Sequence, residues 1–331
     1  MTQQLFQAMV VREEPGNVFL REIKKRDISE LPDHDVLIAV HFSSLNYKDA
    51  LSASGNKGVT RRYPHTPGVD AAGIVVESRD EKFKAGDEVI VCGYDLGTKI
   101  PGGFGQFIRV PAEWIVPLPH GMSLYESMIY GTAGFTAAQS VLKIVDHGIK
   151  PEDGKILVSG STGGVGSVSV AILAKLGYQV TAVTGKSEEH GLLTRLGAAN
   201  ILTRQQASDT TGKMLLREKW AGVIDTVGGD ILTTAIRTTR YGGIVTCCGN
   251  VASPNLNISV YPFILRGVTL SGIDSASCSL SVRQRIWHKL AAEWKIGQLH
   301  DLARDIDLYH LNNEIDNILK GKIKGRIVVR L

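Results

Sequence analysis

The spacing of apolar and polar positions divides the chain into two parts. Up to about residue 125, short apolar or alternating runs recur between clusters of Gly, Pro and charged residues, which is typical of strands joined by turns. The runs are Ala8–Val11, Val36–His41, Ala72–Glu77, Glu88–Cys92, Phe107–Val110 and Trp114–Pro117. Regular short strands of this kind predict a small barrel or sandwich.

The pattern then changes to one of alternating helices and fully apolar strands. A helix over Ser123–Leu142 is followed by a βαβ unit, with strands at Lys155–Ser159 and Gln179–Val183 and a helix at Ser167–Leu176. These strands lack polar alternation, as expected for a parallel sheet covered on both faces. Further elements are predicted as strands at Ala199–Leu202, Gly222–Thr226, Gly243–Cys247, Val268–Gly272 and Arg326–Arg330, and as helices at Ser281–Lys295 and Leu311–Lys320. This order predicts a doubly wound α/β sheet.

Composition and charge exclude several classes of protein. The chain has 331 residues, 43% hydrophobic and 21% charged, with a net charge of +4 that is scattered rather than clustered. Scattered charge does not favour nucleic-acid binding, and no apolar run approaches the roughly 18 residues of a membrane span. The amino-terminal segment has charge where a signal peptide is apolar. Cys92, Cys247, Cys248 and Cys278 form no C-x-x-C pair. We therefore expect a cytoplasmic protein, with these cysteines as small buried hydrophobes.

The strongest motif is the glycine-rich turn after the first parallel strand. The segment 158–167 reads VSGSTGGVGS, between a predicted strand and a predicted helix. Its glycines allow a tight turn and a close approach of backbone N–H groups to a pyrophosphate, at the start of a helix that favours anions. No Gly-Lys-Ser/Thr sequence closes the motif, so a P-loop is excluded. The motif predicts a dinucleotide site.

The residues at the end of the next predicted strand indicate which dinucleotide the site binds. An NAD site usually has an acidic residue about 20 residues after the turn, bound to the ribose 2′-hydroxyl. Here Thr184, Gly185 and Lys186 occupy that place, with no acid before Glu188, and Arg204 follows the next strand. A hydroxyl and positive charges suit a 2′-phosphate, which a carboxylate would repel. NADP(H) is therefore the predicted cofactor.

Several separated blocks resemble one known family. They are the segments 43–51 (SSLNYKDAL), 67–73 (PGVDAAG), 131–137 (GTAGFTA), 241–243 (YGG), 262–268 (PFILRGV) and 272–275 (GIDS), the glycine-rich turn, and Gly325-Arg326. In this order they are similar to zinc-independent medium-chain dehydrogenases/reductases of the quinone-oxidoreductase type. Within this family, the blocks resemble most specifically the YhdH/YhfP subgroup, which includes NADPH-dependent acrylyl-CoA reductase.

The resemblance implies an architecture. It implies a GroES-like β-barrel catalytic domain over 1–124, a Rossmann-type nucleotide domain over 125–265, and a C-terminal segment over 266–331 that returns to the catalytic domain. The active site would lie in the interdomain cleft, and a homodimer formed by edge-to-edge pairing of the nucleotide domains is expected.

The resemblance also allows the question of a metal to be tested. Zinc-dependent relatives have Gly-His-Glu where this chain has Gly68-Val69-Asp70, so Val69 stands in place of the histidine ligand. The structural four-cysteine lobe is missing, and His65 has no Cys or His partner at ligand spacing. We therefore expect no catalytic metal, and alcohol dehydrogenase chemistry is disfavoured.

Without a metal, the expected reaction is hydride transfer from NADPH to an already activated double bond. The family places the Tyr47 loop beside the nicotinamide, so Tyr47 is the candidate proton donor or positioning residue, and it could equally bind the cofactor. Asn46 and Asp49 are candidates to orient Tyr47. The resemblance further implies three sets of cofactor contacts: Thr162, Gly163, Gly164 and Val165 at the diphosphate; Thr184, Gly185, Lys186 and Arg204 at the 2′-phosphate; and Asn250, Ile264, Ser275 and Arg326 around the nicotinamide half or the cleft.

The acceptor remains open among three alternatives. The preferred one is an enoyl thioester such as acrylyl-CoA, and Lys57, Arg61 and Arg62 in the glycine-containing loop 54–62 could meet the phosphates of CoA. The second is a quinone. The third is a non-catalytic NADPH-binding protein, which would show no turnover with any acceptor.

Overall fold

Strands dominate the first of two units into which the chain divides in a computed structural model that describes residues 4–331. The first unit contains the chain up to Thr132 together with Ala276–Ala292 and Leu299–Leu331, and the second contains Ala133–Ser275 and Glu293–Gln298. The predicted domain boundaries after residues 124 and 265 fall somewhat before the observed ones. The predicted segment 266–331 is shared by both units, since residues 266–275 and 293–298 belong to the second.

The strands of the first unit form a hairpin and a larger sheet. The strands are β1 (Leu5–Glu14), β2 (Val18–Asp27), β3 (Val36–Ser44), β4 (Asp70–Ser78), β5 (Glu88–Cys92), β6 (Phe107–Val110), β7 (Ile115–Pro117), β14 (Ala303–Asp307) and β15 (Arg326–Arg330). β1 pairs with β2, and the larger sheet has the order β14-β15-β3-β4-β5-β7, with β6 also paired to β3. Alternate residues of β3 and β4, such as Ile38 and Val75, point into one apolar core.

The helices of the first unit are short. They are α1 (Tyr47–Ala53), α7 (Leu280–Ala291) and α8 (Leu311–Leu319), and a longer helix, α2 (Leu124–Asp146), begins in this unit. α2 is interrupted at Gly131, whose backbone is not helical (φ 49°, ψ −157°). The closing strand β15 lies between β14 and β3, so the end of the chain pairs with an early strand.

The second unit is a doubly wound parallel sheet. Its strands are β8 (Lys155–Val158), β9 (Val180–Val183), β10 (Ala198–Leu202), β11 (Trp220–Asp225), β12 (Thr239–Cys247) and β13 (Thr269–Gly272), and its helices are α3 (Gly164–Lys175), α4 (His190–Arg195), α5 (Gly229–Thr238) and α6 (Tyr261–Arg266). All neighbouring strands run parallel in the order β10-β9-β8-β11-β12-β13. The order reverses between β8 and β11, and ligands of such sheets bind at this switch point, beyond the carboxyl ends of the strands.

Some predicted elements need correction. The helix predicted over Ser281–Lys295 ends at Ala291, so Trp294 lies beyond it, although Trp287 and Trp294 are both buried. Cys92 is buried as expected, whereas Cys247, Cys248 and Cys278 are partly exposed because they lie at or beyond the end of a strand or before a helix. None of these four cysteines forms a disulfide. β2, α1 and β14 were not predicted from the sequence.

Candidate active site

The glycine-rich turn joins β8 to the start of α3 in the second unit. α3 begins at Gly164, and no side chain caps its N-terminus. At Gly166 an added Cβ would lie 2.7 Å from the Cα of Ser161, so only glycine allows the helix to pack this closely against the turn. The result is an open helix N-terminus at the switch point of the sheet, which is a favourable place for an anion.

Two hydroxyl groups hold this turn beside the end of β9. The Ser161 hydroxyl donates to the carbonyl of Val158 (2.7 Å) and accepts the backbone N–H of Val183 (3.0 Å). The hydroxyls of Thr162 and Thr184 lie 3.4 Å apart, and Thr184 also accepts the N–H of Lys186 at 3.0 Å. The turn and the predicted 2′-phosphate residues are therefore joined by hydrogen bonds.

Arg204 reaches the same place from the end of β10. A Cβ built on Gly185 would lie 2.8 Å from Nε of Arg204, so the guanidinium packs directly against the Gly185 backbone. Thr184 is buried, Lys186 is half-buried and Arg204 is exposed. The structure thus brings together the four residues that the sequence assigns to the 2′-phosphate, with no acidic side chain among residues 184–187.

The remaining predicted contacts of the second unit are more dispersed. Asn250 lies beyond β12, where its Cα would be 3.4 Å from a Cβ on Gly228. Ile264 is 66% exposed on α6 and Ser275 is half-buried beyond β13. The exposure of Ile264 excludes a role in the core of this unit.

Asp225 is a residue at the switch point that sequence reasoning missed. It ends β11 and is fully buried, and it accepts hydrogen bonds from the Ser159 hydroxyl (2.8 Å) and the Gly228 N–H (2.7 Å). Burial raises the pKa of Asp225. The Ser159 hydroxyl in turn accepts the N–H of Thr226 at 2.8 Å. The carboxyl ends of β8 and β11 are therefore tied together, and a charged residue that ends a wholly apolar strand was the available signal.

In the first unit, Tyr47 is the first residue of α1, and its neighbours fix the start of this helix. The Asp49 carboxyl group accepts hydrogen bonds from the backbone N–H of Asn46 (2.8 Å), the Asn46 amide (3.2 Å) and the N–H of Val69 (2.8 Å). A carboxylate in the first turn satisfies N–H groups that the helix leaves unpaired. Tyr47 itself is 37% exposed, and its hydroxyl forms no hydrogen bond within residues 4–331. Asn46 and Asp49 thus fix the start of the helix on which Tyr47 lies.

A buried polar cluster supports this arrangement. We call it the Asp70 network, and it consists of Ser44, Asn46, Asp49, Asp70, Thr132 and Arg326. The Asp70 carboxylate, at the start of β4, accepts hydrogen bonds from the Ser44 hydroxyl (2.5 Å), the Asn46 amide (2.7 Å) and the Thr132 hydroxyl (2.6 Å). Asp70 is fully buried, so these bonds replace the water that the charge has lost.

Arg326 supplies the positive charge of the network. It is 3% exposed and donates to the Ser44 hydroxyl (2.7 Å), the Asn46 amide oxygen (3.2 Å) and the carbonyl of Ile129 (2.9 Å). The resemblance placed Arg326 around the nicotinamide or the cleft. Its observed contacts include the Asn46 side chain at the start of α1.

The break in α2 makes room for these side chains. Gly131 has a positive φ, and an added Cβ would lie 2.6 Å from the Asp70 carboxylate and 2.8 Å from the Arg326 guanidinium. The next residue, Thr132, donates its N–H to Asp70 at 2.9 Å. Gly131 and Asp70 lie in two blocks that carry the family resemblance, and this was the only sequence signal for the network.

Burial changes the protonation of two groups here. Loss of solvent, together with the nearby charge of Asp70, raises the pKa of Asp49 from 3.8 to about 7. Burial, and then Asp70, raise the pKa of the Cys92 thiol, which therefore stays protonated and is not a nucleophile. Asp49 is the group in this region that changes charge near neutral pH.

Within residues 4–331, no group of three or more His, Cys, Asp or Glu side chains is placed to hold a metal ion. His65 is 6% exposed, and burial lowers its pKa. No helix in the described part of the chain combines the length and apolar character that crossing a membrane requires.

Comparison with known proteins identifies the two units. The family description "Alcohol dehydrogenase GroES-like domain" matches residues 32–120, and "Zinc-binding dehydrogenase" matches residues 164–293. The fold is similar to that of a crystal structure titled as the yhdH oxidoreductase from Salmonella enterica in complex with NADP, with a TM-score of 0.95, 40% identity and coverage of 98% and 99% of the two chains. The protein is thus a dehydrogenase/reductase with a GroES-like domain and a Rossmann-type nucleotide domain, as the sequence predicted.

Two relatives define the family further. The chain is 42% identical to the Bacillus subtilis protein named "Putative quinone oxidoreductase YhfP" (99% of both chains), whose crystal structure has NAD bound and a TM-score of 0.96. It is 41% identical to "Acrylyl-CoA reductase AcuI" of Ruegeria pomeroyi, over 98% of this chain and 99% of the relative. The chain belongs to the medium-chain dehydrogenase/reductase family of oxidoreductases, in the YhdH/YhfP quinone-oxidoreductase subgroup.

Proposed function

We propose that the protein is an NADPH-dependent reductase that transfers hydride to the activated C=C bond of an enoyl thioester of the acrylyl-CoA type. The observation that carries the cofactor choice is the position of Thr184, Lys186 and Arg204 beside the glycine-rich turn, with no acidic residue in the segment 184–187. Similarity to a protein named acrylyl-CoA reductase supports the substrate class.

The residues present fit NADPH. The uncapped start of α3 and the close packing at Gly166 leave backbone N–H groups for the diphosphate, which Thr162, Gly163, Gly164 and Val165 would hold. The 2′-phosphate would be held by the residues at the ends of β9 and β10, namely Thr184, Gly185, Lys186 and Arg204. Asn250, Ile264 and Ser275 would lie around the nicotinamide half.

When bound, the reduced nicotinamide supplies a hydride to the β-carbon of the alkene. The residues of this chain must then stabilise negative charge on the thioester oxygen and provide a proton for the α-carbon. Tyr47 is our candidate for this work, since it is 37% exposed and its hydroxyl lacks a hydrogen-bond partner in the described chain. Asn46, Asp49 and Arg326 hold α1 so that this hydroxyl has a defined position.

A quinone is the second candidate acceptor. It is supported by the name of the Bacillus subtilis relative, and it would need the same cofactor site. The acidic network around Asp70 would serve both reactions equally, because it orients Tyr47 rather than binding a substrate. We also propose a cytoplasmic homodimer, for which size-exclusion chromatography with light scattering is the test of assembly.

Steady-state kinetics distinguishes the two acceptors. NADPH oxidation would be followed with acrylyl-CoA and with 1,4-benzoquinone side by side, with NADH as the cofactor control. We expect kcat/KM above about 10⁴ M⁻¹s⁻¹ for the thioester, which lies in the ordinary range for enzymes. Turnover of the quinone alone would make the second candidate the function, and turnover of neither would contradict both.

A further inference from the structure

The loop that follows α1 carries three positive charges, of which one is already neutralised. Lys57 forms an ion pair with Glu13 at 2.5 Å, and its ammonium lies over the rings of Phe19 (5.4 Å) and Tyr63 (4.8 Å) from their centroids. These contacts explain the position of Lys57 without a ligand. The sequence had grouped Lys57 with Arg61 and Arg62 as possible contacts for CoA.

Arg61 and Arg62 differ from every other arginine of the first unit. Within the described part of that unit, all the others form a hydrogen bond, an ion pair or another polar contact, as Arg79 does with Asp33 and Arg330 with Asp305. Arg61 and Arg62 are exposed and form none. Two positive charges on consecutive residues, neither with a carboxylate partner, would gain most from a ligand that carries several negative charges.

The backbone that carries these two arginines is anchored on both sides. Thr60 is 1% exposed, and its hydroxyl lies 2.7 Å from that of Ser52 in α1. On the other side, the Tyr63 hydroxyl donates to the Ser52 carbonyl at 2.6 Å. The loop is therefore fixed against the end of α1, and little backbone conformational freedom remains to be lost when Arg61 and Arg62 bind a ligand.

The rise of α1 from Tyr47 to Ser52, the residue to which the arginine loop is anchored, is compatible with the length of a CoA thioester. Ser52 is five residues after Tyr47 in α1, which corresponds to about 7.5 Å along the helix axis. The pantetheine arm has about as many bonds as four residues of backbone, so it spans about 14 Å when extended. An acyl group beside Tyr47 would thus allow the phosphates to reach the two arginines, once the length of an arginine side chain is included.

We propose that Arg61 and Arg62 bind the phosphate groups of a coenzyme A thioester whose acyl group reacts beside Tyr47. Arginine is suited to this task because its planar fork of N–H donors matches phosphate oxygens. The proposal rests on the proposed function and deepens it, since it assigns the part of the substrate that a quinone lacks. Lys57 is not part of the subsite.

The test compares two thioesters that differ only in the phosphate-bearing part. Wild type and the double variant Arg61→Ala/Arg62→Ala would be assayed with acrylyl-CoA and with the S-acryloyl thioester of N-acetylcysteamine, which has no phosphate. We expect the KM for acrylyl-CoA to rise at least about tenfold in the double variant. The KM for NADPH and kcat/KM for the truncated thioester should stay within about twofold of wild type.

The matched control is Lys82→Ala/Lys84→Ala, which removes two exposed charges from the turn between β4 and β5 of the same unit. An equal rise in KM for both double variants would show a general charge effect and overturn the proposal. An unchanged KM in the arginine variant, or an equal loss with both thioesters, would overturn it as well. If the wild-type protein reduces neither thioester, the proposed function itself is wrong. This outcome differs from that of an active enzyme whose KM for acrylyl-CoA does not change when the two arginines are replaced.

Discussion

The glycine-rich turn of the second unit and the Asp70 network of the first are built in opposite ways. The turn is one continuous segment, 160–166, in which backbone N–H groups and missing side chains make the site. The Asp70 network joins side chains from β3, α1, β4, α2 and β15, and Ser44 and Arg326 are 282 residues apart in the chain. The glycine-rich turn depends on free space around its backbone. The Asp70 network depends on buried charges that all need a hydrogen-bond or ionic partner.

This difference predicts how each region responds to substitution. A larger side chain in the turn is harmful where it fills the space that the backbone or the ligand needs. Loss of a side chain from the network leaves a buried charge or hydrogen-bond donor unsatisfied. Loss of one member of a buried ion pair costs more than the pair contributes, because the remaining charge has neither water nor a partner. The following predictions are arranged from the largest expected effect to the smallest.

Removal of the Asp70 carboxylate breaks the network most severely. We expect Asp70→Ala to lower the free energy of unfolding by about 3–5 kcal/mol, because the Arg326 guanidinium would stay buried without a nearby full negative charge. Chemical denaturation followed by circular dichroism measures this. Asp33→Ala, which removes the exposed partner of Arg79, is the control and should change little. Equal, small losses in both variants would mean that the buried Arg326 guanidinium does not depend on the charge of Asp70.

Asp49 gives the network a dependence on pH. Its folded-state pKa of about 7 lies above the ordinary 3.8, so between these values the folded state holds a proton that the unfolded state has lost. The Asp49 contribution to stability is therefore present at low pH and decreases as pH rises, by about 4 kcal/mol at most. Asp49→Asn lacks this titration.

The measurement compares unfolding free energies of wild type and Asp49→Asn between about pH 5 and about pH 8. The unfolding free energy of wild type minus that of the variant should fall with rising pH. The loss of a hydrogen-bond acceptor in the variant adds the same amount to this difference at every pH. A constant difference across this range would mean that Asp49 is ionised throughout.

Removal of the Tyr47 hydroxyl tests whether Tyr47, on the helix that the Asp70 network supports, takes part in catalysis. If it supplies the proton, Tyr47→Phe should lower kcat by about 100-fold, at the lower end of the range for general acids, with little change in NADPH affinity. Tyr309→Phe, which removes another exposed hydroxyl of the first unit, is the matched control. A weaker binding of NADPH with unchanged kcat would reassign Tyr47 to cofactor binding.

Lys186 tests the charge beside the glycine-rich turn. We expect Lys186→Ala to weaken the binding of NADPH by about 1–3 kcal/mol, because one charge-assisted contact to the 2′-phosphate is lost. The affinity for NADH should change much less, and fluorescence titration can measure both. Lys155→Ala, at the opposite end of β8, controls for net charge. Equal losses for the two cofactors would contradict the 2′-phosphate assignment.

The parts of the fold that were predictable have a strong local pattern. The apolar strands of the second unit and the turn after β8 follow from period and glycine placement alone. β2 was missed because its sequence, VFLREIKKRD, mixes charges into a strand whose residues are half-buried or exposed. α1 has seven residues, too few for a helical period to emerge, so Tyr47 was expected in a loop.

In the candidate site, too, only the residues with a clear local sequence pattern could be predicted. The position of Lys186 and Arg204 near the glycine-rich turn was predictable, because each follows a strand whose end defines the ligand edge of the sheet. Asp225 and Asp70 were not, because nothing in the neighbouring sequence tells whether an aspartate at a strand end or start will be buried. Arg326 was recognised only through resemblance, and its partners became clear only when β15 was seen beside β3.

The late position of Arg326 has a consequence for synthesis on the ribosome. Ser44 leaves the peptidyl-transferase centre 282 residues before Arg326, which at 5–20 residues per second is an interval of about 15–60 s. During that time the Asp70 carboxylate has no Arg326 guanidinium nearby, and every strand of the second unit, up to β13, is made before Arg326 is added. We expect the inserted second unit to fold first, and the segment that begins the chain to be completed last.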